Sequence, residues 1–255
     1  MSGVDGRVAV VTGAANGIGR GIAEALLRGG ADLAAIDIAE IDIAPPPGRK
    51  VRAWRCDVAD AAAVKRVCAE VLDAFGHADI LVNDAGGAGP VAVQHVEDIS
   101  DAVWRHVIDL NLTSVVNLCR ELVPAMKARG YGRIVSLSSQ VRDGVFGPLN
   151  TVNARLPYVA AKGAIVSLTK QLAKDLTPFG ITVNAVGPGL ILPGPEARIT
   201  RKFNELPEAT RQRILGGVPA GRAGTAADVA AAVMFLVSEQ AAFVSGETLG
   251  VTGGQ

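Results

Sequence analysis

The sequence predicts an α/β protein: a single doubly wound domain on a seven-stranded, mainly parallel sheet with helices on both faces. Short apolar runs of strand length alternate with longer segments whose apolar residues recur at helical spacing. The short runs are continuously apolar, as expected for strands that are buried on both sides of a parallel sheet. No Ser/Gly linker or charge block divides the 255 residues, so residues 1–255 are interpreted as one domain.

The predicted elements follow a repeating strand-helix order. The first half contributes strands at 8–11, 32–38, 50–58 and 80–82, with helices at Gly17–Arg28 and Ala61–Phe75. The second half contributes strands at 132–139, 180–186 and within 246–254, with helices at 99–128, 158–176 and Ala226–Val237. Three consecutive prolines in the segment 38–50 exclude a regular helix there. The crossover between the second and third strands is therefore predicted to be abbreviated.

Composition excludes several classes of function. The 25 basic and 25 acidic residues cancel, which argues against a surface that binds nucleic acid through its phosphates. No apolar run is long enough to span a membrane and no secretory signal is present, so a cytoplasmic protein is predicted. The three cysteines and three histidines have neither a disulfide framework nor metal-ligand spacing, so no metal is predicted.

A glycine-rich loop follows the first strand. The stretch "TGAANGIG" places Gly13, Gly17 and Gly19 between that strand and the first helix, with Asn16 and Ile18 among them. Glycines let the backbone approach a ligand closely, and the free N–H groups of a helix N-terminus bind phosphate. The spacing is Gly-x-x-x-Gly-x-Gly, which differs from the common dinucleotide fingerprint. The loop predicts a pyrophosphate site.

Asp37, at the end of the second predicted strand, indicates which dinucleotide binds. A carboxylate at this position can accept hydrogen bonds from the adenosine ribose hydroxyls and repels a 2′-phosphate. Asn16 stands where an arginine or lysine would favour a phosphorylated cofactor. The predicted cofactor is therefore NAD rather than NADP.

Tyr158 and Lys162 share one face of a predicted helix, because residues four positions apart are neighbours on a helix. The pair alone is compatible with an ordinary surface contact or with a phenol whose proton is controlled by an ammonium group. A phenol titrates near pH 10, about three units above neutrality, and a nearby positive charge favours its ionised form.

The chain resembles the short-chain dehydrogenase/reductase family over nearly its whole length, through motifs in a fixed order. Besides the glycine loop these are "CDV" at 56–58, "NDAG" at 83–86, "NLTS" at 111–114, "SLSS" at 136–139, "YVAAK" at 158–162, "NAVGPG" at 184–189 and "VTGG" at 251–254. Several ordered motifs at fitting intervals are far more specific than any one of them. The family has the Rossmann fold and usually forms tetramers, so a homotetramer is expected.

The resemblance implies a role for each matching residue. Tyr158 would be the general acid/base, Lys162 would lower its pKa and hold the nicotinamide ribose, Ser139 would orient the substrate oxygen and Asn111 would anchor a water. Ser136 or Ser138 could be mistaken for the catalytic serine, but the family places it seven residues after Gly132, at Ser139 (139 − 132). The implied cofactor contacts are Asp57 and Val58 with the adenine, Asn83, Ala85 and Gly86 along the cofactor, and Pro188, Gly189 and Ile191 against the nicotinamide.

The sequence departs from the family in three places. The second asparagine of the family's Asn-Asn-Ala-Gly is Asp84, to which no cofactor role is assigned. Pro193 stands where a threonine often contacts the carboxamide of the nicotinamide. The segment 140–157 between Ser139 and Tyr158 is longer than usual, polar and rich in turns. We expect it to shape one wall of the substrate pocket, although a surface loop or a subunit contact would have the same composition.

Residues 190–221 are the predicted substrate lid. Their arginines, lysine and glutamates could attract an acidic substrate, but a solvated helical face explains them better.

The predicted function is hydride transfer between NAD and a secondary alcohol or ketone, such as a sugar, polyol or cyclic alcohol. An epimerase or dehydratase with tightly held NAD usually has an additional substrate domain. A non-catalytic NAD-sensing protein would be expected to lose Ser139, Tyr158 or Lys162. A 3-oxoacyl-thioester reductase would usually use NADPH, which Asp37 disfavours.

Overall fold

The central sheet of the protein has seven parallel strands. The computed structural model describes residues 3–89, 92–93, 95–144 and 155–255. The strands are β1 (Val8–Thr12), β2 (Asp32–Asp37), β3 (Val51–Arg55), β4 (Ile80–Asn83), β5 (Gly132–Leu137), β6 (Ile181–Pro188) and β7 (Thr248–Val251), in the spatial order β3-β2-β1-β4-β5-β6-β7. All neighbouring pairs among them are parallel. This confirms the predicted α/β, doubly wound fold class.

Eight α-helices accompany these strands in the described part of the chain. They are α1 (Gly17–Arg28), α2 (Ala61–Phe75), α3 (Asp101–Ile108), α4 (Ser114–Arg129), α5 (Arg155–Leu176), α6 (Arg198–Asn204), α7 (Glu208–Gly216) and α8 (Ala226–Val237). Side chains of α1 and α8 pack on one face of the sheet, and those of α2, α4 and α5 on the other. Each face of the sheet is thus covered by its own apolar layer.

The strand order reverses between β1 and β4, which are neighbours in the sheet. From β1 the sheet continues to β2 and β3 in one direction, and from β4 it continues to β5, β6 and β7 in the other. In open parallel sheets, ligands bind in the crevice beyond the carboxyl ends of the strands at such a reversal. The glycine loop follows β1, and the "NDAG" stretch follows β4. The fold therefore brings two of the predicted cofactor-binding segments to the same crevice.

The bounds of three helices, α1, α2 and α8, are those that the sequence predicts. The predicted third strand is too long, because β3 ends at Arg55. A turn then leads into α2, and in this turn the Asp60 amide donates a hydrogen bond to the Asp57 carbonyl. Residues 38–50, all of them described, contain no helix, which confirms the abbreviated crossover. Helix α5 already includes Arg155, three residues before the predicted start (158 − 155).

The predicted lid contains α6 and α7. Most of its charged side chains are exposed, and the half-buried Arg211 pairs with Glu208. This agrees with the expectation of a solvated charged surface. No helix of the described residues is both long and apolar enough to cross a membrane. The segment between Ser139 and Tyr158 includes ten residues, 145–154, that lie outside the described part of the chain. The expectation that this segment shapes the substrate pocket therefore stays a prediction.

Helix α2 begins with a strong cap, which leads to a test of local stability. The Asp60 carboxylate accepts hydrogen bonds from the backbone amides of Ala62 and Ala63, at 2.9 and 3.2 Å. Replacing Asp60 by alanine leaves these amides without that acceptor and should lower the free energy of unfolding by about 1 kcal/mol. Urea denaturation measures the loss. Asp73→Ala, an exposed change near the other end of α2, is the control and should change stability by less than about 0.5 kcal/mol. Equal losses in the two variants would contradict this role for Asp60.

Candidate active site

The glycine loop leaves the N-terminus of α1 open to a ligand. Gly13 and Gly17 have φ angles of +72° and +64°, a region that other residues rarely adopt. A side chain on Gly19 would collide with the Gly13 carbonyl oxygen. Asn16, the N-cap residue of α1, makes no side-chain capping hydrogen bond within the described structure. The Asn16 side chain therefore leaves the Gly17 and Ile18 amides at the start of α1 available to an anion, whereas the Gly19 amide bonds to Asp84.

Asp37 ties the end of β2 to this loop. One carboxylate oxygen accepts a hydrogen bond from the Ala15 amide and the other from the Ala39 amide, each at 2.9 Å. Each oxygen keeps a further lone pair, so both can also accept a bond from a ligand hydroxyl. The bonds hold the carboxylate at the rim of the crevice, next to the glycine loop.

Asp57 and Val58 lie beside Asp37, because the Cys56 amide donates to the Asp37 carbonyl at 2.8 Å. The Asp57 side chain is exposed and accepts a hydrogen bond from the Ala59 amide at 2.9 Å, while Val58 is buried. Both residues are thus at the edge of the crevice where an adenine bound near Asp37 would lie.

The segment after β4 is held by two side chains from neighbouring strands. Asn83 donates from Nδ2 to the Ser136 hydroxyl at 3.2 Å, and the Ala85 amide donates to Thr12 Oγ1 at 3.2 Å. Gly86 is exposed, and a Cβ atom there would lie 2.6 Å from Asn111 Oδ1 and 3.3 Å from Lys162 Nζ. The bare backbone at Gly86 therefore lets Asn111 and Lys162 approach the same point.

Asn111 lies in a π-helical turn, Asp109–Thr113, between α3 and α4. Its Nδ2 atom donates to the carbonyls of Val107 and Gly87, at 2.8 and 2.7 Å, and its Oδ1 atom accepts from the Gly87 amide at 3.0 Å. The side chain thus bonds to the carbonyl that the Asn111 amide would use in a regular helix. An insertion of this kind bends the helical ladder and is frequent at functional sites. The predicted helical region 99–128 is thus made of α3, this π-helical turn and α4.

The hydrogen bonds of the three serines around the end of β5 differ. Ser136 accepts from Asn83, and Ser138 donates to the Lys162 carbonyl at 2.7 Å. Ser139 accepts from the Val141 amide at 3.3 Å and bonds to the hydroxyl of Tyr158. Ser136 and Ser138 are buried, whereas Ser139 is partly exposed. Of the three, Ser139 has its hydroxyl at the crevice.

Lys162 and Tyr158 are close but do not form a direct ion pair. Lys162 Nζ lies 5.5 Å from the centre of the Tyr158 ring and donates to the Leu137 carbonyl at 2.7 Å. Burial lowers the pKa of Lys162 to about 8, and the Asp84 carboxylate opposes this. Burial raises the pKa of Tyr158 to about 12, while the hydrogen bond with Ser139 lowers it and Asp84 raises it further. The pKa of this phenol therefore lies above its ordinary value here, opposite to the expected lowering, because burial outweighs the other effects.

The end of β6 forms another wall of the crevice. Pro188 is buried as the last residue of the strand, the Gly189 amide donates to the Val251 carbonyl at 3.0 Å, and Ile191 is buried. Pro193 lies near the glycine loop, since its Cγ atom is 3.9 Å from the position of a Cβ on Gly17. The start of the predicted lid thus lies next to the predicted pyrophosphate site.

The structure brings the predicted site residues together along the carboxyl ends of β1, β2, β4, β5 and β6. Sequence reasoning did not include Thr12, Gly87 and Ser138, which position Ala85, Asn111 and Lys162. A buried threonine at a strand end and a glycine next to "NDAG" are common features, so no sequence signal distinguishes them. Asp84 is different, because its departure from the family pattern is visible in the sequence. Among the described residues there is no cluster of histidine, cysteine and acidic side chains that could hold a metal ion.

The residues present fit a dinucleotide. The Gly17 and Ile18 amides at the start of α1 suit a pyrophosphate, and the Asp37 carboxylate suits two ribose hydroxyls. The absence of side chains at Gly86 and Gly189 lets polar side chains of the crevice lie close to the backbone there. At Gly189 a Cβ atom would lie 2.9 Å from both Gln140 Oε1 and Gln255 Oε1. Asp37 ends β2, whereas Ser139 follows β5 and Tyr158 lies on α5, so these two residues are separated from Asp37 by β1 and β4.

Comparison with known proteins identifies similar chains. A family model described as enoyl-(acyl carrier protein) reductase matches residues 13–255. An uncharacterized short-chain type dehydrogenase/reductase of Sinorhizobium fredii, y4mP, is 39% identical over 261 residues, covering 98% of this chain and 97% of its own. The 3-oxoacyl-(acyl-carrier-protein) reductase FabG of Escherichia coli is 38% identical over 253 residues, covering 98% and 97%. The crystal structure of levodione reductase is similar with a TM-score of 0.86 and 28% identity, covering 98% and 97% of the two chains.

Proposed function

Because the chain belongs to the short-chain dehydrogenase/reductase family, we propose that it transfers a hydride between NAD(H) and a secondary alcohol or ketone. Family membership supports an oxidoreductase acting on a CH–OH group with a nicotinamide cofactor. The choice of NAD and the roles of the site residues are supported by the crevice itself, which has Asp37 on one side and Ser139, Tyr158 and Lys162 on the other. Bound nicotinamide supplies the hydride donor or acceptor.

In this proposal the chain's own residues manage the proton and the substrate oxygen. Ser139 hydrogen-bonds to that oxygen, and Tyr158 gives a proton to it during ketone reduction or takes one during alcohol oxidation. Lys162, fixed by the Leu137 carbonyl, provides a positive charge that favours the ionised phenol. The raised pKa of Tyr158 keeps the phenol protonated at neutral pH. This is the form needed to reduce a ketone.

NAD is proposed over NADP because of Asp37. Its carboxylate is held at the crevice rim by two backbone amides and has lone pairs left for ribose hydroxyls. A phosphate at the 2′ position would meet this negative charge, which disfavours NADP. Asn16 in the loop offers no compensating positive charge.

The proposed substrates are small secondary alcohols and ketones, including sugars, polyols and cyclic alcohols. A second candidate is the reduction of 3-oxoacyl thioesters, which the similarity to FabG favours. A homotetramer and a cytoplasmic location also stay predictions; the first is supported by family membership and by exposed apolar side chains on α8 and β7, Phe235 and Leu249.

A substrate panel tests this proposal directly. Sugars, polyols, cyclic diols and hydroxy acids are offered with NAD or NADP, and cyclic ketones and a 3-oxoacyl thioester with each reduced cofactor, following nicotinamide absorbance. We expect turnover of at least one secondary alcohol or its ketone, with NAD(H) preferred. Preferred reduction of the thioester with NADPH would support the second candidate instead. Binding of NADH without turnover of any compound would indicate an NAD-sensing protein.

A further inference from the structure

Asp84 brings a carboxylate into the first turn of α1. Its Oδ2 atom lies 3.0 Å from the position of a Cβ on Gly13 and 2.6 Å from that of a Cβ on Gly19. Its backbone amide is held by Thr12 Oγ1 at 3.2 Å, so the position of the residue is set by β1 as well as β4. A side chain at either loop position would crowd this carboxylate. The carboxylate therefore lies under the glycine loop, where the proposed pyrophosphate site begins.

The groups that face this carboxylate come from three elements. The Gly19 amide of α1 donates a hydrogen bond to it, and it interacts electrostatically with Asp37 at the end of β2 and with Lys162 and Tyr158 of α5. Burial raises the pKa of Asp84 to about 7, the Lys162 ammonium and the Gly19 amide lower it, and Asp37 raises it. The residue is consequently poised to gain or lose a proton near neutral pH.

An ionised Asp84 and a bound pyrophosphate would be competing anions at one helix N-terminus. The N-terminus of a helix carries the equivalent of about half a positive charge, which favours one anion there. A second anion in the same turn is repelled by the first, and burial strengthens that repulsion. Protonation of Asp84 removes this repulsion, while the glycine loop keeps its conformation.

We infer that Asp84 couples dinucleotide binding to proton uptake by its own carboxyl group, so that the protein binds the cofactor more weakly as the pH rises. The inference rests on the proposed function of the glycine loop as a dinucleotide site. It assigns a role to the residue that distinguishes "NDAG" here from the asparagine usual in the family. Asp84 acts on the cofactor through charge and is not placed in the proton transfer to substrate.

The direction of the pH effect follows from linkage. Binding of the pyrophosphate raises the pKa of Asp84. Between the pKa values of the free protein and of the complex, Asp84 is therefore protonated in the complex and ionised in the free protein. Below the free-state pKa the Kd for cofactor is constant. Above it the Kd rises, by up to about tenfold per pH unit, until the pKa of the bound state is passed. A rise of about tenfold between pH 6 and pH 9 corresponds to a pKa about one unit higher in the complex.

Lys162 must be separated from Asp84 in the test, because loss of its positive charge would weaken cofactor binding over a similar range. The decisive pair is Lys162→Met and Lys162→Met with Asp84→Asn, compared by isothermal titration with NADH at pH 6, 7, 8 and 9 and constant ionic strength. Without Lys162 the pKa of Asp84 lies higher, so we expect the Kd of the single variant to rise about fivefold towards pH 9 and that of the double variant to stay within about twofold. Equal rises in both, or no rise in either, would overturn the inference.

A second measurement leaves Lys162 unchanged. Titrations of the unmodified protein near pH 8, in two buffers of different ionisation enthalpy, report the protons taken up on binding NADH. We expect Asp84→Asn to take up about 0.4 proton fewer per cofactor than the unmodified protein, the uptake at pH 8 that a one-unit rise of the pKa of Asp84 implies; equal uptake by the two proteins would contradict the coupling. Asp73→Asn, an exposed carboxylate on α2, should behave like the unmodified protein. Failure of NADH to bind at any pH would instead reject the proposed function, and the inference with it.

Discussion

Replacing Tyr158 by phenylalanine should lower kcat by about a thousandfold, the effect of removing a positioned general acid or base. The variant loses only the hydroxyl that bonds to Ser139 and exchanges a proton with the substrate oxygen, and it keeps the ring that packs near Lys162. The Kd for NADH should therefore change by less than about twofold. Steady-state kinetics on any substrate from the panel and titration with NADH measure the two quantities.

The chain offers a matched control for this change, because it has only two tyrosines. Tyr131 donates from its hydroxyl to Glu239 at 3.0 Å, outside the crevice, so Tyr131→Phe should keep full activity. It should lower stability by only about 1 kcal/mol. If Tyr158→Phe kept more than about a tenth of the activity, the proposed mechanism would be wrong.

Replacing Asp37 by asparagine should shift the preference between the two cofactors by about a hundredfold. Hydrogen bonds to charged groups contribute about 1.5–3 kcal/mol, so loss of the charge should lower kcat/KM with NAD by about tenfold. Removing the repulsion of a 2′-phosphate should raise kcat/KM with NADP by a similar factor. The side-chain oxygen of the new asparagine can still accept one of the two hydrogen bonds that the Ala15 and Ala39 backbone amides donate to Asp37. Kinetics with both cofactors on one alcohol give the ratio.

Asp57→Asn is the comparison for that ratio. Asp57 is proposed to contact the adenine, which the two cofactors share, so this variant should weaken both equally and leave the preference unchanged. An unchanged preference in Asp37→Asn would refute the assignment of cofactor choice to Asp37. Thermal melting of both variants identifies any loss of folding.

Local features of the sequence predict much of the fold. Helix α2 has an aspartate cap at Asp60 and a glycine with positive φ at Gly76, so both of its ends can be predicted from residue types. The π-helical turn around Asn111 could not be predicted in this way. It depends on a hydrogen bond to the Gly87 backbone, which is distant in sequence. Helical periodicity contains no signal for such a contact.

The candidate site, like the fold, could be predicted from the sequence only in part. The resemblance predicts which residues meet, since Ser139, Tyr158 and Lys162 each lie in a recognisable motif. It does not predict the electrostatics, because burial depends on everything packed around a group. The phenol of Tyr158 was expected to have a lowered pKa, and burial raises it. Asp84 was recognised as a departure, but its contact with the first turn of α1 required the three-dimensional structure.

Two hydrogen bonds between β5 and α5 have a consequence for how such enzymes diversify. Lys162 donates from its side chain to the Leu137 carbonyl, and Ser138 donates from its hydroxyl to the Lys162 carbonyl. This reciprocal pair fixes the lysine directly against the residues that precede Ser139. The separation of serine and lysine is then independent of the number of residues that connect them. Insertions and deletions in that connection can therefore accumulate during evolution without moving the serine away from the lysine.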